Sequence, residues 1–365
     1  MKRYNNLYNF DLKDITDVYK KQIRVNTKNK YKIKKFEDFY AVNIYRIKKI
    51  LDSKNYKTGK YNIFLIKEPK YRIIMSQKIT DKVINHLVAN NILLPLLDKS
   101  LIDTNVATRK GKGTHYGIKY LKKALNSMNG TIYALKFDIR KYFYNINHAK
   151  LIELLKNKIS DKDALNILIT IIDSTNSSYV NKTITAIKES EYMYNANKEI
   201  NKIPLYKKGK GLPIGNMTSQ IMAIFYLNEL DHYIKEKLHI KYYLRYMDDG
   251  VLLSNDKVYL RYCLDKIKEI LKDYDLELNH KTKIINVSKE GLDFLGFRFY
   301  KNSKVYMKVR NETKRRFKRK LNNINMFTKE YQRSIVNSYS AHLKWGNCFD
   351  LYNNNLKRLM NKNYK

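Results

Sequence analysis

Two adjacent carboxylates, Asp248 and Asp249, end the apolar run KYYLRYMDDG, which extends from Lys241 to Gly250. The chain around them is strongly basic: its 365 residues include 73 Lys and Arg against 34 Asp and Glu, a formal net charge of +39. An Asp-Gly step between apolar segments is one of the strongest local signals for a β-hairpin, because the tight turn requires positive φ. That signal accounts for Asp249 and Gly250 and leaves Asp248 unexplained.

A third carboxylate, Asp138, lies in a similar setting. It ends the apolar part of ALKFDIRKYF, a segment that predicts a buried β-strand. Because burying an unpaired carboxylate costs several kcal/mol, Asp138 is expected to lie beside a cation or a metal ion. Acids from separate strands that meet at one sheet edge can hold two Mg²⁺ ions roughly 4 Å apart. In a cationic groove, such ions would activate a 3′-hydroxyl, stabilise a pentacovalent phosphate and neutralise pyrophosphate.

The composition indicates a folded protein with a polyanionic partner. The hydrophobic content of 44% excludes wholesale disorder, and the positive charge favours nucleic acid first and an anionic membrane second. The start, MKRYNNLYNFDLKD, lacks the apolar core of a signal peptide, and the most apolar segment, NNILLPLLDKSLI, is too short to span a membrane. Cys263 and Cys348 have no zinc-ligand spacing. We therefore predict a cytoplasmic protein without structural zinc.

The spacing of apolar residues predicts a mixture of helices and strands. Residues 1 to about 60 indicate helices, most clearly in FEDFYAVNIYRIKKILDSK, and GKYNIFLIKEPKYRIIMSQ alternates as two strands that turn at Pro69. Further strands are expected before Asp138, around Asp248 and in LDFLGFRFY, with helices between them and in the basic tail. The polar stretch from about 176 to 210 is expected to be loop-like. Strict βαβ alternation is missing, which favours an α+β fold.

The order of the motifs resembles that of a reverse transcriptase. YMDD follows FDIRKYF and GLPIGNMTSQ, while EPKYRII and TRKGKGTH resemble upstream finger motifs, and LNHKTKI and LDFLGF resemble the downstream lysine-bearing and primer-grip motifs. The resemblance covers roughly residues 60 to 300. It implies an α+β right-hand polymerase whose antiparallel palm sheet carries the YMDD hairpin. The implied domains are an N-terminal helical extension at 1–60, fingers at 61–135, a palm at 136–300 with a polar insertion at about 176–210, and a basic helical thumb at 301–365.

The resemblance implies a catalytic role for four residues. Asp138, Asp248 and Asp249 would be the catalytic acids and also the ligands of two Mg²⁺ ions, for which Mn²⁺ could substitute. Lys281 in HKTKI matches a general acid toward pyrophosphate, and Lys283 is a nearby alternative.

Other residues would bind the nucleotide or the nucleic acid. Lys70, Arg72 and Arg109 match finger cations that grip the triphosphate through charge-assisted pairing with phosphate oxygens. Phe143 matches a bulky side chain that excludes a ribose 2′-hydroxyl, with a core aromatic as the alternative. The remaining matches are Gln220 as a nucleotide or template contact, Gly215 and Asn216 as nucleic-acid contacts, Arg315, Arg316 and Arg319 as duplex-backbone contacts, and Phe294–Phe297 as either the loop at the primer end or part of a sheet core.

The motif I-G-N-M-T-S-Q at 214–220 is similar to that of the enzymes of diversity-generating retroelements; many other bacterial reverse transcriptases carry Q-G-x-x-x-S-P there. The resemblance implies an enzyme that makes cDNA from a structured RNA, in a bacterial retroelement of this type or in an antiphage defence system. Its partners would be that RNA, a primer or cDNA, dNTPs and a small accessory protein. Two alternatives stay open: a maturase-like RNA-binding protein with a vestigial polymerase site, and an RNA-dependent RNA polymerase.

Overall fold

Helices and small antiparallel sheets make up the chain in the computed structural model, which describes residues 3–346 apart from 69, 196 and 197, together with 348 and 353. The α-helices are Leu12–Val18 (α1), Lys30–Glu37 (α2), Tyr40–Asp52 (α3), Ile79–Leu87 (α4), Leu94–Leu97 (α5), Thr114–Asn126 (α6), Tyr142–Asn145 (α7), His148–Lys156 (α8), Lys162–Ile172 (α9), Ser178–Asn195 (α10), Met217–Tyr226 (α11), Asn228–His232 (α12), Lys257–Asp273 (α13), Asn311–Asn322 (α14) and Lys329–Leu343 (α15). The strands are Asn62–Ile66 (β1), Arg72–Ser76 (β2), Tyr133–Asp138 (β3), Tyr242–Tyr246 (β4), Asp249–Ser254 (β5), Lys283–Asn286 (β6), Leu292–Phe294 (β7), Phe297–Lys301 (β8) and Val305–Val309 (β9). This mixture confirms the α+β class.

The first three helices occupy the part of the chain for which apolar spacing predicts helices. α1 begins with a capping box, in which the Asp11 and Asp14 carboxylates each accept a hydrogen bond from the other's backbone N–H. Ile44, Ile47 and Leu51 recur at helical spacing along α3, and all three are buried. α1, α2 and α3 all pack against α4, so these helices share a core with the elements that follow.

β1 and β2 form an antiparallel hairpin, as the alternating pattern predicts. Asn62 pairs with Ser76 at the open end, and Ile66 pairs with Arg72 beside the connecting turn. The predicted turn residue, Pro69, lies outside the described residues. One face of this hairpin packs against α10 and forms a small core of its own.

Four strands in the order β4–β5–β3–β6 make the central antiparallel sheet. Alternate residues of β3 enter two different clusters: Leu135 and Phe137 point into the larger core, and Ala134 points into the second one. Because apolar side chains cover both faces, the ends of the strands are where charged groups meet solvent. Asp138 is the last residue of β3 and pairs with Asp249, the first residue of β5.

The β4–β5 hairpin turns at a different position from the one that the Asp-Gly step predicts. Its two turn residues are Met247 and Asp248, and Gly250 already lies in β5. The positive φ, +57°, falls on Met247. Gly250 is required for packing instead, because a Cβ there would overlap the ring of Phe137, which is fully buried and has no room to move.

The segment from about 176 to 210 is largely helical, which differs from the loop predicted from its polar composition. α10 covers more than half of this segment, and Val180 and Ile184, one helical turn apart, are buried against the β1–β2 hairpin. A polar composition is compatible with such a helix because only one narrow face has to be apolar. Residues 196 and 197 of this segment lie outside the described residues.

β7, β8 and β9 form a third antiparallel sheet, followed by α14 and α15. Phe317 is the buried residue of α14, so the rest of this basic helix is at least partly exposed. The predicted thumb extends to residue 365, and its part beyond 346 lies outside the described residues, except for 348 and 353. No helix in the described ranges is both long enough and apolar enough to cross a membrane.

Candidate active site

Three carboxylates meet at one edge of the central sheet. Asp138 ends β3 and pairs with Asp249 at the start of β5, while Asp248 occupies the adjoining turn. Paired residues in an antiparallel sheet have Cα atoms about 4.5–5.5 Å apart. The structure therefore brings together the three acids that the sequence singles out.

Burial and mutual repulsion raise the pKa of these carboxyl groups. At Asp248, burial and then the charges of Asp249 and Asp138 raise the pKa to about 7. Burial also raises the pKa values of Asp138 and Asp249, although nearby cations oppose the shift. Carboxylates that must all be ionised in such surroundings need positive charge to balance them.

Five basic side chains surround the acids and lower their pKa values through space. Within the described residues, none of the five forms an ion pair with any of the three acids, so the carboxylate oxygens stay available as ligands. The cations are Lys70, Lys136 and Lys281 acting on Asp138, Arg72 acting on Asp248, and Arg310 acting on Asp249.

The donor chemistry of this site fits Mg²⁺. No group of three or more His, Cys, Asp or Glu side chains in the described part of the chain is arranged as a closed metal site. Mg²⁺ rarely requires such a cage, because it retains waters and is usually held by one or two carboxylates together with substrate phosphates. Three convergent carboxylates, none of them ion-paired with the described cations around them, match that requirement.

The turn that carries Lys281 is attached to β3 at the acid site. The backbone N–H of Asn279 donates to Asp138 O at 2.7 Å, and the backbone N–H of Asp138 donates to Thr282 Oγ1 at 3.3 Å. Lys281 is exposed between these two attachments and lowers the pKa of Asp138. Of the two lysines considered from the sequence, Lys281 is the one whose charge acts on the site.

A buried ion pair holds the turn that carries Asp248, and the sequence analysis missed it. Arg245 Nε and Nη2 donate to Asp231 Oδ1 and Oδ2 at 2.6 and 2.7 Å, and neither side chain has any exposed surface. Arg245 Nη1 also donates to Met247 O, and Nη2 to Ile224 O, both at 2.6 Å. The guanidinium thus fixes the positive-φ turn residue to α11 and α12.

The Asp231 carboxylate accepts two further bonds, which complete the network. Tyr243 OH donates at 2.7 Å and Asn105 Nδ2 donates at 3.2 Å. Full pairing offsets the large desolvation cost of burying two charges. The signal was available in the sequence, since Arg245 is a charge inside the apolar run that precedes the hairpin.

Gly215 and Asn216, which the sequence predicts as nucleic-acid contacts, both take part in packing here, although Gly215 itself is exposed. Asn216 is 3% exposed, and its Nδ2 donates to Tyr61 OH at 3.0 Å. Gly215 has φ +125°, and a Cβ there would lie 3.2 Å from Met75 O of β2. Both residues dock the 214–220 segment onto the β1–β2 hairpin, where only glycine fits this close approach.

Arg109, which the sequence predicts as a triphosphate contact, is bonded to a neighbouring loop. Its Nε donates to Asp98 Oδ1 at 2.6 Å, and Nη2 donates to Asp98 O at 3.2 Å. Nη1 donates to the carbonyl oxygens of Ile102 and Asn105 at 2.8 and 2.9 Å. Because four of the five guanidinium N–H groups bond within the 98–105 loop, Arg109 stabilises that loop, and one N–H of Nη2 is left for a further partner.

Phe143 and Gln220 are both half-buried, so each retains a surface for a substrate. Phe143 follows the Asp138 strand in α7 and lies edge-on to Tyr142, with ring centroids 6.0 Å apart. Gln220 Oε1 accepts a hydrogen bond from Thr108 Oγ1 at 3.4 Å, which leaves its amide nitrogen for another partner.

The FLGF segment contributes mainly to the core of the C-terminal sheet. Phe294 and Phe297 are each 1% exposed, which agrees with the sheet-core alternative for their rings. Leu295 and Gly296 form the two-residue turn between them, with φ of +50° and +88°, as a type I′ turn requires. Of the four residues, only the two turn residues, Leu295 and Gly296, are partly exposed.

The basic helix α14 exposes the arginines predicted to contact a duplex. Arg315 and Arg319 are exposed and Arg316 is half-buried. On the same helix, Lys320 Nζ lies 3.2 Å from Glu68 Oε2, in the turn of the β1–β2 hairpin. α14 therefore reaches the end of the hairpin that is next to the acids.

Comparison with known proteins matches more than half of the chain to one family. The family model described as reverse transcriptase (RNA-dependent DNA polymerase) matches residues 57–299. The COX1/OXI3 intron 2 protein of Saccharomyces cerevisiae is 26% identical over an alignment 208 residues long. The match covers 47% of this chain and 24% of that protein, so the chain spans about a quarter of this curated relative. Two solved structures are also similar. One is telomerase from Candida albicans with a TWJ fragment of telomeric RNA, at 13% sequence identity and a TM-score of 0.49, over 88% of this chain and 59% of that chain. The other is apo telomerase from Candida tropicalis truncated from its C-terminal domain, at 20% identity and a TM-score of 0.43, over 66% of this chain and 53% of that chain.

Replacing Asp231 by Asn should destabilise the protein strongly, because it leaves the buried guanidinium of Arg245 without a counter-charge. Breaking one side of a buried pair costs about 3–5 kcal/mol, and urea denaturation measures this loss as the free energy of unfolding. The control is Glu236→Gln, an exposed acid nearby in the chain, for which a change within about 0.5 kcal/mol is expected. Equal stability of the two variants would show that the pair does not hold the hairpin.

Replacing Asp248 by Asn should stabilise the metal-free protein at pH 8. The carboxyl pKa is about 7 when folded against a usual 3.8, so the folded state carries an unfavourable charge above pH 7. This penalty shrinks as the pH falls from 7 toward 3.8, because only the folded protein takes up the proton in that range. Thermal unfolding in EDTA should therefore show a rise in Tm at pH 8 and a smaller rise at pH 5.5.

The matched control is Asp265→Asn, which removes an exposed carboxylate on α13. Its Tm should follow the wild type at both pH values. A Tm for Asp248→Asn below that of the wild type at pH 8 would contradict the repulsion among the three acids. A Tm difference between variant and wild type that is the same at pH 8 and pH 5.5 would also contradict it.

Proposed function

The chain belongs to the reverse transcriptase (RNA-dependent DNA polymerase) family, and from this premise we propose that it makes cDNA from a structured RNA template by two-metal nucleotidyl transfer. Its central antiparallel sheet with the YMDD hairpin is the palm of a right-hand polymerase fold. The observation that supports this chemistry most is the pairing of Asp138 with Asp249, with Asp248 in the adjoining turn.

We assign the metal site to Asp138, Asp248 and Asp249, with Mg²⁺ as the natural ion and Mn²⁺ as a substitute. When bound, the ions would lower the pKa of the attacking 3′-hydroxyl and balance the charge on the phosphates. The carboxylates orient these groups from one rigid sheet edge, and the buried ion pair beneath the turn keeps Asp248 in place. The three acids are half-buried, and this partial burial strengthens the charge interactions within the site.

On the nucleotide side, Lys70 and Arg72 would bind the triphosphate. Both lie close enough to the acids to lower their pKa values, and neither forms an ion pair in the described part of the chain. Lys281 would donate a proton to the departing pyrophosphate, since its turn is attached to the Asp138 strand. The amide nitrogen of Gln220 would contact the nucleotide or the template base. Arg109, whose guanidinium bonds within the 98–105 loop, would support this side of the site mainly by holding that loop.

The domain division follows from the same assignment. Residues 1–60 would be a helical extension, 61–135 the fingers, 136–300 the palm and 301–365 the thumb. Exposed Arg315 and Arg319, with Arg316, would track the backbone of the template–product duplex without reading its sequence. The helical insertion at about 176–210 packs on the fingers hairpin and would present its outer face to an RNA or to an accessory protein.

The biological setting we propose is a bacterial retroelement of the diversity-generating type or an antiphage defence system. The I-G-N-M-T-S-Q motif at 214–220 supports the first. A template/variable repeat pair beside the gene would favour mutagenesis, whereas a lone operon with a noncoding RNA would favour defence.

Primer extension on RNA tests the proposed chemistry. The wild type in Mg²⁺ should extend a DNA primer with dNTPs, and Asp248→Ala should lose activity by more than about 100-fold, because even a residue that only supports a metal ligand is worth 10–100-fold. Asp265→Ala, a charge-matched surface control, should retain activity. Equal incorporation by wild type and Asp248→Ala would refute the proposal.

The same assay separates the two alternatives. Preference for NTPs over dNTPs would indicate an RNA-dependent RNA polymerase. RNA binding by a wild-type protein that extends no primer would indicate a maturase-like role with a vestigial site.

Phe143→Ala tests the role of this ring in excluding a ribose 2′-hydroxyl. Opening the space should raise the ratio of kcat/KM for NTPs to that for dNTPs about tenfold or more, because a steric gate discriminates through contact with one added group. Phe143→Tyr preserves the bulk and should leave the ratio unchanged. If Phe143→Ala lowers kcat/KM for NTPs and kcat/KM for dNTPs by the same factor, the ring is a core aromatic and not a gate.

A further inference from the structure

A pocket lined by lysines lies between the N-terminal helices and the open end of the β1–β2 hairpin. Its volume is about 620 Å³. No Asp or Glu contributes to its lining, and its remaining residues are neutral. The four lysines, named here the lysine pocket, are Lys32 and Lys35 of α2, Lys60 before β1, and Lys78 before α4.

These four lysines are exposed and carry uncompensated charge. None of them forms an ion pair within the described ranges, although many other surface lysines do. Lys60 Nζ lies 5.8 Å from the ring of Tyr179. The charge of Lys32, after burial, lowers the pKa of neighbouring Lys82. Positive charges are therefore close enough to repel one another, and an anion in the pocket would relieve that repulsion.

Hydrogen-bond donors add to the positive charge. Gln77 lines the pocket, is 6% exposed, and has an Nε2 without a hydrogen-bond partner among the described residues. α4 begins at Ile79 directly after Lys78, which provides no side-chain cap for the free backbone N–H groups. The first-turn acid, Asp81, accepts instead from Tyr56 OH and from the backbone N–H of Gly59. Unpaired donors at a helix start beside lysines favour phosphate oxygens.

The lysine pocket is separate from the candidate active site. The pocket contacts Asn62 and Ser76 at the open end of the hairpin, while Arg72, which acts on Asp248, lies at the other end. Ser76 lies four residue steps along β2 from Arg72, which is about 13 Å at roughly 3.3 Å per step. A phosphate in the pocket is therefore not the triphosphate of the nucleotide being added.

The surface beside the pocket favours RNA as the occupant. Asn43 of α3 lines the pocket. Phe39, the N-cap residue of α3, and Arg46 lie about one helical turn before and after Asn43, which places them on the same side of the helix. Phe39 is 67% exposed, which suits stacking with an unpaired base. An exposed aromatic ring beside clustered lysines pairs base stacking with phosphate contacts, which is the combination that single-stranded RNA offers.

We propose that the lysine pocket binds the phosphodiester backbone of RNA at a second position, outside the active site. The RNA is held there by Lys32, Lys35, Lys60 and Lys78, with Phe39 stacking on a base, while another part of the molecule is copied. The identity of the polyanion as RNA rests on the proposed function.

Fluorescence anisotropy with a labelled RNA stem–loop that carries a single-stranded extension tests this proposal, over a series of salt concentrations and without dNTPs. Two charge-matched quadruple variants are compared. The pocket variant is Lys32→Gln, Lys35→Gln, Lys60→Gln and Lys78→Gln, and the surface variant is Lys122→Gln, Lys123→Gln, Lys156→Gln and Lys162→Gln. Four lost phosphate contacts should lower the slope of log Kd against log salt by about 3, at about 0.7 per contact. The pocket variant should also bind about tenfold or more weakly than the surface variant.

A pocket variant with the same Kd and salt slope as the surface variant overturns the proposal. So does a pocket variant that binds RNA normally but no longer binds phosphatidylserine vesicles, which would assign the pocket to a membrane. Replacement of the same four lysines by Arg should preserve RNA binding. Equal Tm values for the two Gln variants exclude a folding defect as the cause.

A separate measurement distinguishes this proposal from the proposed function. At a saturating concentration of a short primer–template, the pocket variant should extend the primer as fast as the wild type. If the wild type extends no primer while the pocket variant still loses RNA binding, the polymerase assignment fails and the pocket assignment stands.

Discussion

The bidentate ion pair between Asp231 and Arg245 is the interaction on which the site depends. A fully buried pair of charges is stable only when every donor and acceptor is used, and here the guanidinium also bonds to Met247 O and Ile224 O. Met247 adopts a positive φ that a non-glycine residue rarely takes. The bond to its carbonyl group therefore helps to hold a strained turn, and that turn places Asp248 beside the pair of strand-end acids.

The three acids are arranged at a cost to the folded state. Burial and mutual repulsion raise their pKa values, and the five surrounding cations act through space without neutralising any acid directly. A direct ion pair would stabilise the apo protein more, but it would occupy the carboxylate oxygens. The arrangement is thus better suited to binding a dication than to stability, which is the usual pattern where charged groups converge at a functional site.

The sequence predicted the convergence of Asp138 with the hairpin because both lie at the ends of apolar strands. It did not distinguish polar residues that bind a substrate from those that join parts of the fold. Asn216 and Arg109 have side chains suited to either task, and only the distant partners, Tyr61 for one and the 98–105 loop for the other, decide between them. The same limit hid the Asp231–Arg245 pair, whose members come from different elements. α10 was missed for another reason, because its apolar face is narrow and its composition is polar.

The β1–β2 hairpin connects two positively charged regions with different tasks. At one end Lys70 and Arg72 face the acids, and at the other end lies the lysine pocket. The hairpin is fixed between them, since the backbone N–H of Met75 donates to Ile214 O at 2.8 Å and Ile73 is fully buried. Two sites on one rigid element bind a single polymer more tightly than either does alone, because binding at the first raises the effective concentration at the second. Under the two proposals above, the pocket would contribute affinity and retention of the RNA, and the chemical step would stay with the acids at the far end of the hairpin.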